Sequence, residues 1–234
     1  MNGTPAVLFD LDDTLFSERD FLHSGWHAVA HEAEKRGLLE SAKAYELMTK
    51  APDAFDALHE AYPEFSIADM LEVYRNHVPD IHLKPGAWQT VMQLRDAGAP
   101  VGIITDGRSI SQRNKIKALG LDTIVDYIGI SAETGADKHQ ARTFLHAEEH
   151  FGKHRPYIYI GDNPAKDFAQ ANKLGWHTVM LRESSPGINI HPQTFAGPDT
   201  DCRPDFIIND LPEVISIYSV SYTHLRAHET TLHL

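Results

Sequence analysis

The sequence predicts an α/β fold: a Rossmann-like parallel sheet flanked by helices, with an inserted α-helical cap. From position 84 onward, short apolar runs alternate with helix-like segments, as in sheets whose parallel strands are joined by helices. Glycine follows most of these helical segments, at the position where a left-handed residue ends a helix. A stretch of roughly 60 residues before them has helical spacing and no strand pattern, which indicates the cap.

The first strand and the cap come from the N-terminal third of the chain. Ala6–Asp10 (AVLFD) is an apolar run that ends at a carboxylate, which predicts a buried strand. Between Arg19 and about His77, apolar side chains recur at helical spacing. We therefore expect an α/β core domain at residues 1–17 and 82–219, and a helical cap domain at residues 18–81.

The rest of the chain supplies the remaining elements. Helices are predicted at Trp88–Ala97, Ser109–Leu119, Lys138–Phe151 and Pro164–Leu174, and strands at Val101–Thr105, Val125–Ile130, Tyr157–Ile160, His177–Leu181 and Phe206–Ile208. Glu183–Pro204 is rich in Ser, Pro, Gly, Asn and Asp, which predicts a long surface loop, either a flexible connector or a loop that faces the substrate.

Residues 220–234 are expected to be an adapter-derived, artefactual tail. Val220–Thr230 (VSYTHLRAHET) reads as the in-frame translation of a DNA string that resembles a transposon-based sequencing adapter. The segment has no coherent apolar face to offset the cost of ordering it, about 1–2 kcal/mol per residue. We exclude it from the reasoning on the fold.

Composition narrows the function classes. The net charge of −12 argues against nucleic acid and against anionic membranes as partners, because both bind to basic surfaces. The single cysteine, Cys202, excludes an intrachain disulfide and favours a reducing compartment. No signal-peptide pattern and no run of about 18 apolar residues is visible. These features lead us to expect a cytoplasmic protein, a monomer or homodimer.

Two carboxylates follow the first predicted strand. Asp10 and Asp12, two apart in an extended backbone, should point toward one site. Their mutual repulsion favours a bound cation or one raised pKa, although aspartates also cluster in ordinary turns. Gly161-Asp162, after the YIYI strand, brings a third carboxylate to the same edge of the sheet, and Asp167 follows within the predicted helix. Oxygen ligands of this kind suit Mg²⁺.

Phosphate ligands are predicted at two further positions. Thr105 ends the VGIIT strand, and the backbone of Asp106 and Gly107 follows it, so that a hydroxyl and amides could bind phosphoryl oxygens. Lys138 lies near a predicted helix start and offers a point charge for phosphate. Each signal is weak alone, because such residues are more often caps or solvated surface.

Taken in order, DLDDT, the strand-end Thr105, Lys138 and the GDNPAKD segment resemble the four motifs of the haloacid dehalogenase (HAD) superfamily. The motifs span residues 6–167, the fold match extends to about Ile217, and the helical insert is similar to the helical cap of that family. One position departs from the pattern: His139 follows Lys138, where the family often has proline.

The resemblance implies a Mg²⁺-dependent phosphatase acting on a small phosphorylated metabolite. It implies that Asp10 attacks phosphorus and becomes an acyl phosphate, and that Asp12 protonates the leaving oxygen and then activates water. The remaining implied roles are phosphoryl binding by Thr105 and Lys138, Mg²⁺ binding by Asp10, the Asp12 backbone carbonyl and Asp162, and support by Asp167 and Thr14.

Several alternatives stay open on this fold. A dehalogenase is disfavoured because that type lacks the second aspartate of the first motif, whereas Asp12 is present. A phosphonatase needs a Schiff-base lysine in the cap, where Lys35, Lys43 and Lys50 occur. A phosphomutase would keep the same residues. A non-catalytic binding module would be expected to have lost some of them.

Overall fold

A computed structural model describes residues 3–193 and 200–220 of the chain. Within this described part, the sheet has six parallel strands in the order β3-β2-β1-β4-β5-β6. The strands are β1 (Ala6–Phe9), β2 (Val101–Thr105), β3 (Tyr127–Ile130), β4 (Tyr157–Gly161), β5 (His177–Leu181) and β6 (Phe206–Ile208). The predicted α/β fold with a Rossmann-like parallel sheet is confirmed.

Helices cover both faces of the sheet. They are α5 (Ala87–Asp96), α6 (Ser109–Ala118), α7 (Ser131–Thr134), α8 (Ala141–Phe151), α9 (Ala169–Lys173) and α10 (residues 214–220). Along β1 the side chains alternate, so that Val7 and Phe9 join the apolar cluster under α5, α6 and α10, whereas Ala6 and Leu8 join the cluster under α8 and α9. Burial on both faces explains why the strands read as continuous apolar runs.

Four helices follow β1 and pack on one another. They are α1 (Glu18–Lys35), α2 (Ser41–Lys50), α3 (Ala54–Ala61) and α4 (Ile67–Asn76). Most of their buried apolar residues, among them Val29, Met48 and Leu58, form a cluster of their own, whereas Phe21 of α1 belongs to a cluster of the sheet. A cap with its own core is what the proposed division at residues 18–81 requires. The two connections to the sheet touch, since Phe16 and Leu83 form an antiparallel bridge.

Two predicted helices start later than expected. The prediction of Pro164–Leu174 was too long, because the helix begins at Ala169 and residues 164–166 form a turn. Asp167 turns its carboxylate back to accept from the Asn163 backbone N–H at 2.8 Å. Lys138 likewise precedes its helix, which begins at Ala141. In both cases contacts of a buried charged side chain outweigh the local helical pattern.

The long predicted loop is described at residues 183–193 and 200–204. α10 is described as far as Val220, and the remainder of the predicted tail, residues 221–234, lies outside the described residues. Among the described helices, none is long and apolar enough to cross a lipid bilayer.

Candidate active site

The predicted residues meet at the carboxyl end of three neighbouring strands. Asp10 follows β1, Thr105 ends β2 and Asp162 follows β4, which is where ligands of parallel sheets bind. A cavity of about 60 Å³ opens there. It is lined by Asp10, Asp12, Asp13, Glu18, Thr105, Asp106, Asp162, Asn163, Lys166 and His191. The topology therefore brings together side chains that lie up to 181 positions apart, counted from Asp10 to His191.

Three carboxylates form the centre of the site. One oxygen from each of Asp10, Asp162 and Asp167 lies within 4.8 Å of the others, and all three side chains are buried. An oxygen-only donor set of this charge fits a hard divalent cation such as Mg²⁺. Asp12 was predicted to contribute only its backbone carbonyl to the metal, and its carboxylate has other partners.

Lys138 supplies the positive charge inside this cluster. It is 1% exposed, its ammonium contacts the Asp10 carboxylate, and it donates to Asp167 Oδ1 at 2.8 Å. Burial alone would lower the pKa of Lys138, but Asp10 and Asp167 outweigh burial and raise that pKa well above its usual value. His139, at the position where the resemblance led us to expect proline, donates its backbone N–H to Asp137 Oδ1, and Lys138 contacts Asp10.

Burial also changes the acidity of the carboxylates. It raises the pKa of Asp10 to about 7; Lys138 opposes this shift and Asp167 adds to it. Burial, followed by the charges of Asp167 and Asp10, raises the pKa of Asp162 to about 8. Both shifts express the cost of holding adjacent negative charges away from water, a cost that a bound cation relieves.

The position of Asp167 depends on the glycine that ends β4. A Cβ added to Gly161 would lie 2.5 Å from Asp167 Oδ2, closer than any side chain tolerates. Both oxygens of Asp167 are engaged, Oδ1 by Lys138 and Oδ2 by the backbone N–H of Asn163. Asp162 thus supplies a carboxylate that could bind a metal, and the absence of a side chain at Gly161 leaves space for the Asp167 carboxylate beside it.

Asp162 has two side-chain donors. Asn189 Nδ2 donates to Asp162 Oδ2 at 2.8 Å, and both side chains are buried. Thr14 Oγ1 donates to Oδ1 at 3.5 Å, the upper limit for a hydrogen bond. Thr14 was predicted to support the site, whereas Asn189 was not identified from the sequence. The described part of the 183–204 segment therefore reaches the site.

Asp13 connects the strand end to the cap and to this same loop. It adopts a left-handed backbone with φ of 56°, a conformation that aspartate tolerates better than most residues. Its carboxylate accepts from the backbone N–H of Glu18 and of Ile190, each at 2.9 Å, and its carbonyl accepts from Lys84 Nζ. This residue lies in the DLDDT motif, yet its role was not predicted from the sequence.

Asp12 is held by the helix that follows β2. Lys115 Nζ donates to Asp12 Oδ1 at 2.6 Å, and Gln112 Nε2 donates to Asp12 Oδ2 at 2.8 Å. Gln112 also donates to Thr105 Oγ1 at 2.6 Å. Neither Lys115 nor Gln112 was identified as a site residue from the sequence. The available signal was the i, i+3 spacing of two polar residues on the face of α6 that carries Ile116 and Leu119.

The residues after Thr105 differ in their placement. Asp106 lines the cavity, and its carboxylate accepts from the Lys138 backbone N–H at 3.2 Å. The Gly107 N–H, expected to bind phosphoryl oxygens, donates to Ser131 Oγ at 2.9 Å instead. Ser131 at the start of α7 competes for this donor, a tertiary contact that no local pattern indicated.

Comparison with known proteins places these observations in a family. A model of the haloacid dehalogenase-like hydrolases matches residues 4–175. The glyceraldehyde 3-phosphate phosphatase of Methanopyrus kandleri is 30% identical over 231 aligned residues, covering 91% of this chain and 96% of that protein. The ribulose-1,5-bisphosphate 5-phosphatase of Halopiger xanaduensis is 26% identical, covering 92% and 99%.

Solved structures agree on the fold. The 2-haloacid dehalogenase of Pseudomonas syringae pv. Tomato superposes with a TM-score of 0.62 at 22% identity, covering 93% of this chain and 99% of that one. At this identity the likeness concerns the architecture and not the reaction.

Proposed function

The chain belongs to the haloacid dehalogenase-like hydrolases, and on that basis we propose that it is a Mg²⁺-dependent phosphatase of small phosphomonoesters, acting through an aspartyl phosphate on Asp10. The observation that carries the proposal is the contact of Lys138 with both Asp10 and Asp167 in the buried carboxylate cluster. One buried ammonium does not balance the charge of three carboxylates, so a bound divalent cation would compensate the remaining negative charge.

Attack by Asp10 on phosphorus is the first step. An anionic carboxylate approaching an anionic phosphoryl group is repelled, and Lys138 offsets part of that repulsion at the attacking oxygen. Thr105 ends β2 beside Asp10 and, because it accepts from Gln112, its own hydroxyl hydrogen is available to a phosphoryl oxygen. Asp12, at the rim of the same cavity, donates a proton to the leaving oxygen.

Hydrolysis of the acyl phosphate is the second step. Asp12, now ionised, takes a proton from the attacking water, and Asp10 leaves as a carboxylate. Asp10 and Asp162, with the backbone carbonyl of Asp12, would hold the Mg²⁺, and Asp167 would support them. When bound, the ion supplies positive charge to the carboxylates and to the transferring phosphoryl group.

The substrate is proposed to be a small sugar phosphate. The cavity is small, and beyond the aspartates its lining is polar, with Glu18, Lys166 and His191. Such side chains suit hydroxyl and carbonyl oxygens better than an apolar group or a nucleobase. The two relatives described above are named for a triose phosphate and a pentulose bisphosphate, which makes these compounds the first to test.

Two of the alternatives lose support from the geometry. A phosphonatase would need its Schiff-base lysine at the active site, whereas Lys35, Lys43 and Lys50 of the cap are all exposed to solvent. A dehalogenase has no leaving oxygen to protonate, and Asp12 lies beside Asp10 in the cavity.

A phosphate-release assay tests the proposal. Purified protein is incubated with glyceraldehyde 3-phosphate, ribulose 1,5-bisphosphate, phosphoglycolate and a nucleoside monophosphate, with Mg²⁺ or with EDTA. We expect release from the sugar phosphates, none with EDTA, and loss of release in Asp10→Asn. Substrate consumption without phosphate release would identify a phosphomutase. No reaction, or equal activity in Asp10→Asn, would contradict the proposal.

A further inference from the structure

The carboxylate of Asp12 is held on both oxygens by one helix. Oδ1 accepts from Lys115 at 2.6 Å and Oδ2 accepts from Gln112 at 2.8 Å. The two donors are three residues apart on α6, so they project from the same helix face. Both are buried, with 5% of Lys115 and 2% of Gln112 exposed. A carboxylate has about four lone-pair sites, which leaves a site for the proton that Asp12 passes to the leaving oxygen.

Gln112 couples Asp12 to Thr105. Its amide nitrogen donates to Asp12 Oδ2 and, at 2.6 Å, to Thr105 Oγ1. Only the nitrogen end can make these contacts, because the amide oxygen would be repelled by the carboxylate. With the Thr105 oxygen acting as acceptor, its hydroxyl hydrogen must point elsewhere. One side chain thus orients the acid–base group and the phosphoryl-binding hydroxyl together.

Lys115 sits where the core meets the cap. Its ammonium lies 4.2 Å from the centre of the Phe21 ring on α1, a distance typical of a cation–π contact. The Lys115 ammonium thus contacts the Asp12 carboxylate of the core and the Phe21 ring of the cap, and the two contacts together restrict its position. An exposed lysine of the same helix, Lys117, has no such surroundings.

We propose that Gln112 and Lys115 are positioning residues that fix the acid–base carboxylate Asp12 for proton transfer to the leaving oxygen. The proposal rests on the phosphatase function proposed above. Proton transfer by a placed side chain contributes about 10²–10⁴-fold in rate, and the contribution falls when the group is displaced. The rate lost when Asp12 is displaced should be largest for the leaving groups that need protonation most.

The alternative is that Gln112 and Lys115 only stabilise the fold. Substrates whose leaving groups differ in acidity distinguish this structural role from the positioning role. The variants are Lys115→Met, Gln112→Leu, Lys115→Arg and the control Lys117→Met. For each, kcat/KM is measured with p-nitrophenyl phosphate, whose leaving group is acidic, and with an alkyl phosphate such as glyceraldehyde 3-phosphate. Melting temperatures and circular dichroism are recorded in parallel.

We expect Lys115→Met and Gln112→Leu to lose at least about tenfold more activity on the alkyl than on the aryl substrate. Lys115→Arg should recover part of that difference, and Lys117→Met should match the wild type. Equal losses on both substrates, with or without a lower melting temperature, would overturn the positioning role alone. A wild-type protein inactive on both substrates would overturn the proposed function, and this inference with it.

Discussion

Lys138 and Asp167, which are 29 positions apart in the sequence, share a 2.8 Å hydrogen bond between Nζ and Oδ1 in the buried centre of the site. The same ammonium contacts Asp10. A single side chain, Lys138, therefore offsets the charge of the proposed nucleophile Asp10 and also holds the carboxylate of Asp167.

Replacing Lys138 by methionine should reduce activity and stability together. Without the ammonium, the nucleophile and the phosphoryl group repel each other, and we expect a loss of roughly 10²–10³-fold in kcat. The buried carboxylates also lose their cation, which costs about 3–5 kcal/mol when one partner of a buried pair is removed. Steady-state kinetics and chemical denaturation measure both effects. Lys153→Met on the exposed surface is the control, and an active Lys138→Met would contradict the assignment.

Magnesium should stabilise the protein more as the pH rises. The pKa values of about 7 for Asp10 and about 8 for Asp162 lie above the ordinary value of 3.8, so the folded metal-free protein retains protons that the unfolded chain releases. Stability from these groups is therefore present below about pH 4 and is lost as the pH rises to about 8.

The measurement is the shift in melting temperature on adding Mg²⁺ at about pH 5 and about pH 8. At the lower pH the ion must displace protons, so we expect the smaller shift there. Asp162→Asn serves as the control and should weaken the dependence. A shift at about pH 8 that is no larger than at about pH 5 would contradict the raised pKa values.

Alanine at Gly161 should displace Asp167. The added methyl would lie 2.5 Å from Asp167 Oδ2 and 2.7 Å from its Cγ, and that side chain cannot move without losing Lys138 and the Asn163 N–H. Overpacking of this kind costs about 1–3 kcal/mol. We expect lower stability and reduced Mg²⁺ affinity. Gly3→Ala is the matched control, because a Cβ at Gly3 would lie 3.4 Å from the end of the Arg155 side chain, which can move. Unchanged Mg²⁺ affinity in Gly161→Ala would refute the packing argument.

Asn189 should matter for metal binding although it contributes no metal ligand. Its Nδ2 donates to Asp162 Oδ2, and removal of such a donor beside a metal carboxylate typically weakens affinity about 10–100-fold. Calorimetric titration of Asn189→Ala with Mg²⁺ measures this directly, with the exposed Asn76→Ala as control. Wild-type affinity in Asn189→Ala would show that Asp162 needs no such support.

The sequence determined the sheet more closely than the site. Val101–Thr105 and His177–Leu181 were predicted to the residue, because strands buried on both faces leave uninterrupted apolar runs. Phe206–Ile208 was also predicted to the residue, although Phe206 and Ile207 are exposed on this edge strand. The helix predicted from Pro164 begins only at Ala169, and Asp167, which precedes it, is bound by Lys138. That contact joins residues 29 positions apart, so it has no local signature in the sequence.

The same difference between local patterns and tertiary contacts explains which site residues could be predicted from the sequence. The predicted Asp10, Thr105 and Asp162 lie at strand ends, where an apolar run marks them, and Lys138 lies shortly before a helix. Gln112, Lys115 and Asn189 lie on a helix face and in a loop, and their importance depends on which strand end they approach. That approach is fixed by the three-dimensional fold.

The most direct test of the central claim is to identify the phosphorylated residue. Asp12→Ala lacks the base for the second step, so with p-nitrophenyl phosphate and Mg²⁺ it should accumulate the acyl phosphate. After an acid quench, peptide mass spectrometry should locate one added phosphoryl group on Asp10, and no such group in the double variant that also carries Asp10→Asn. A phosphoryl group on another residue, or nitrophenol release in the double variant equal to that of Asp12→Ala, would contradict the account.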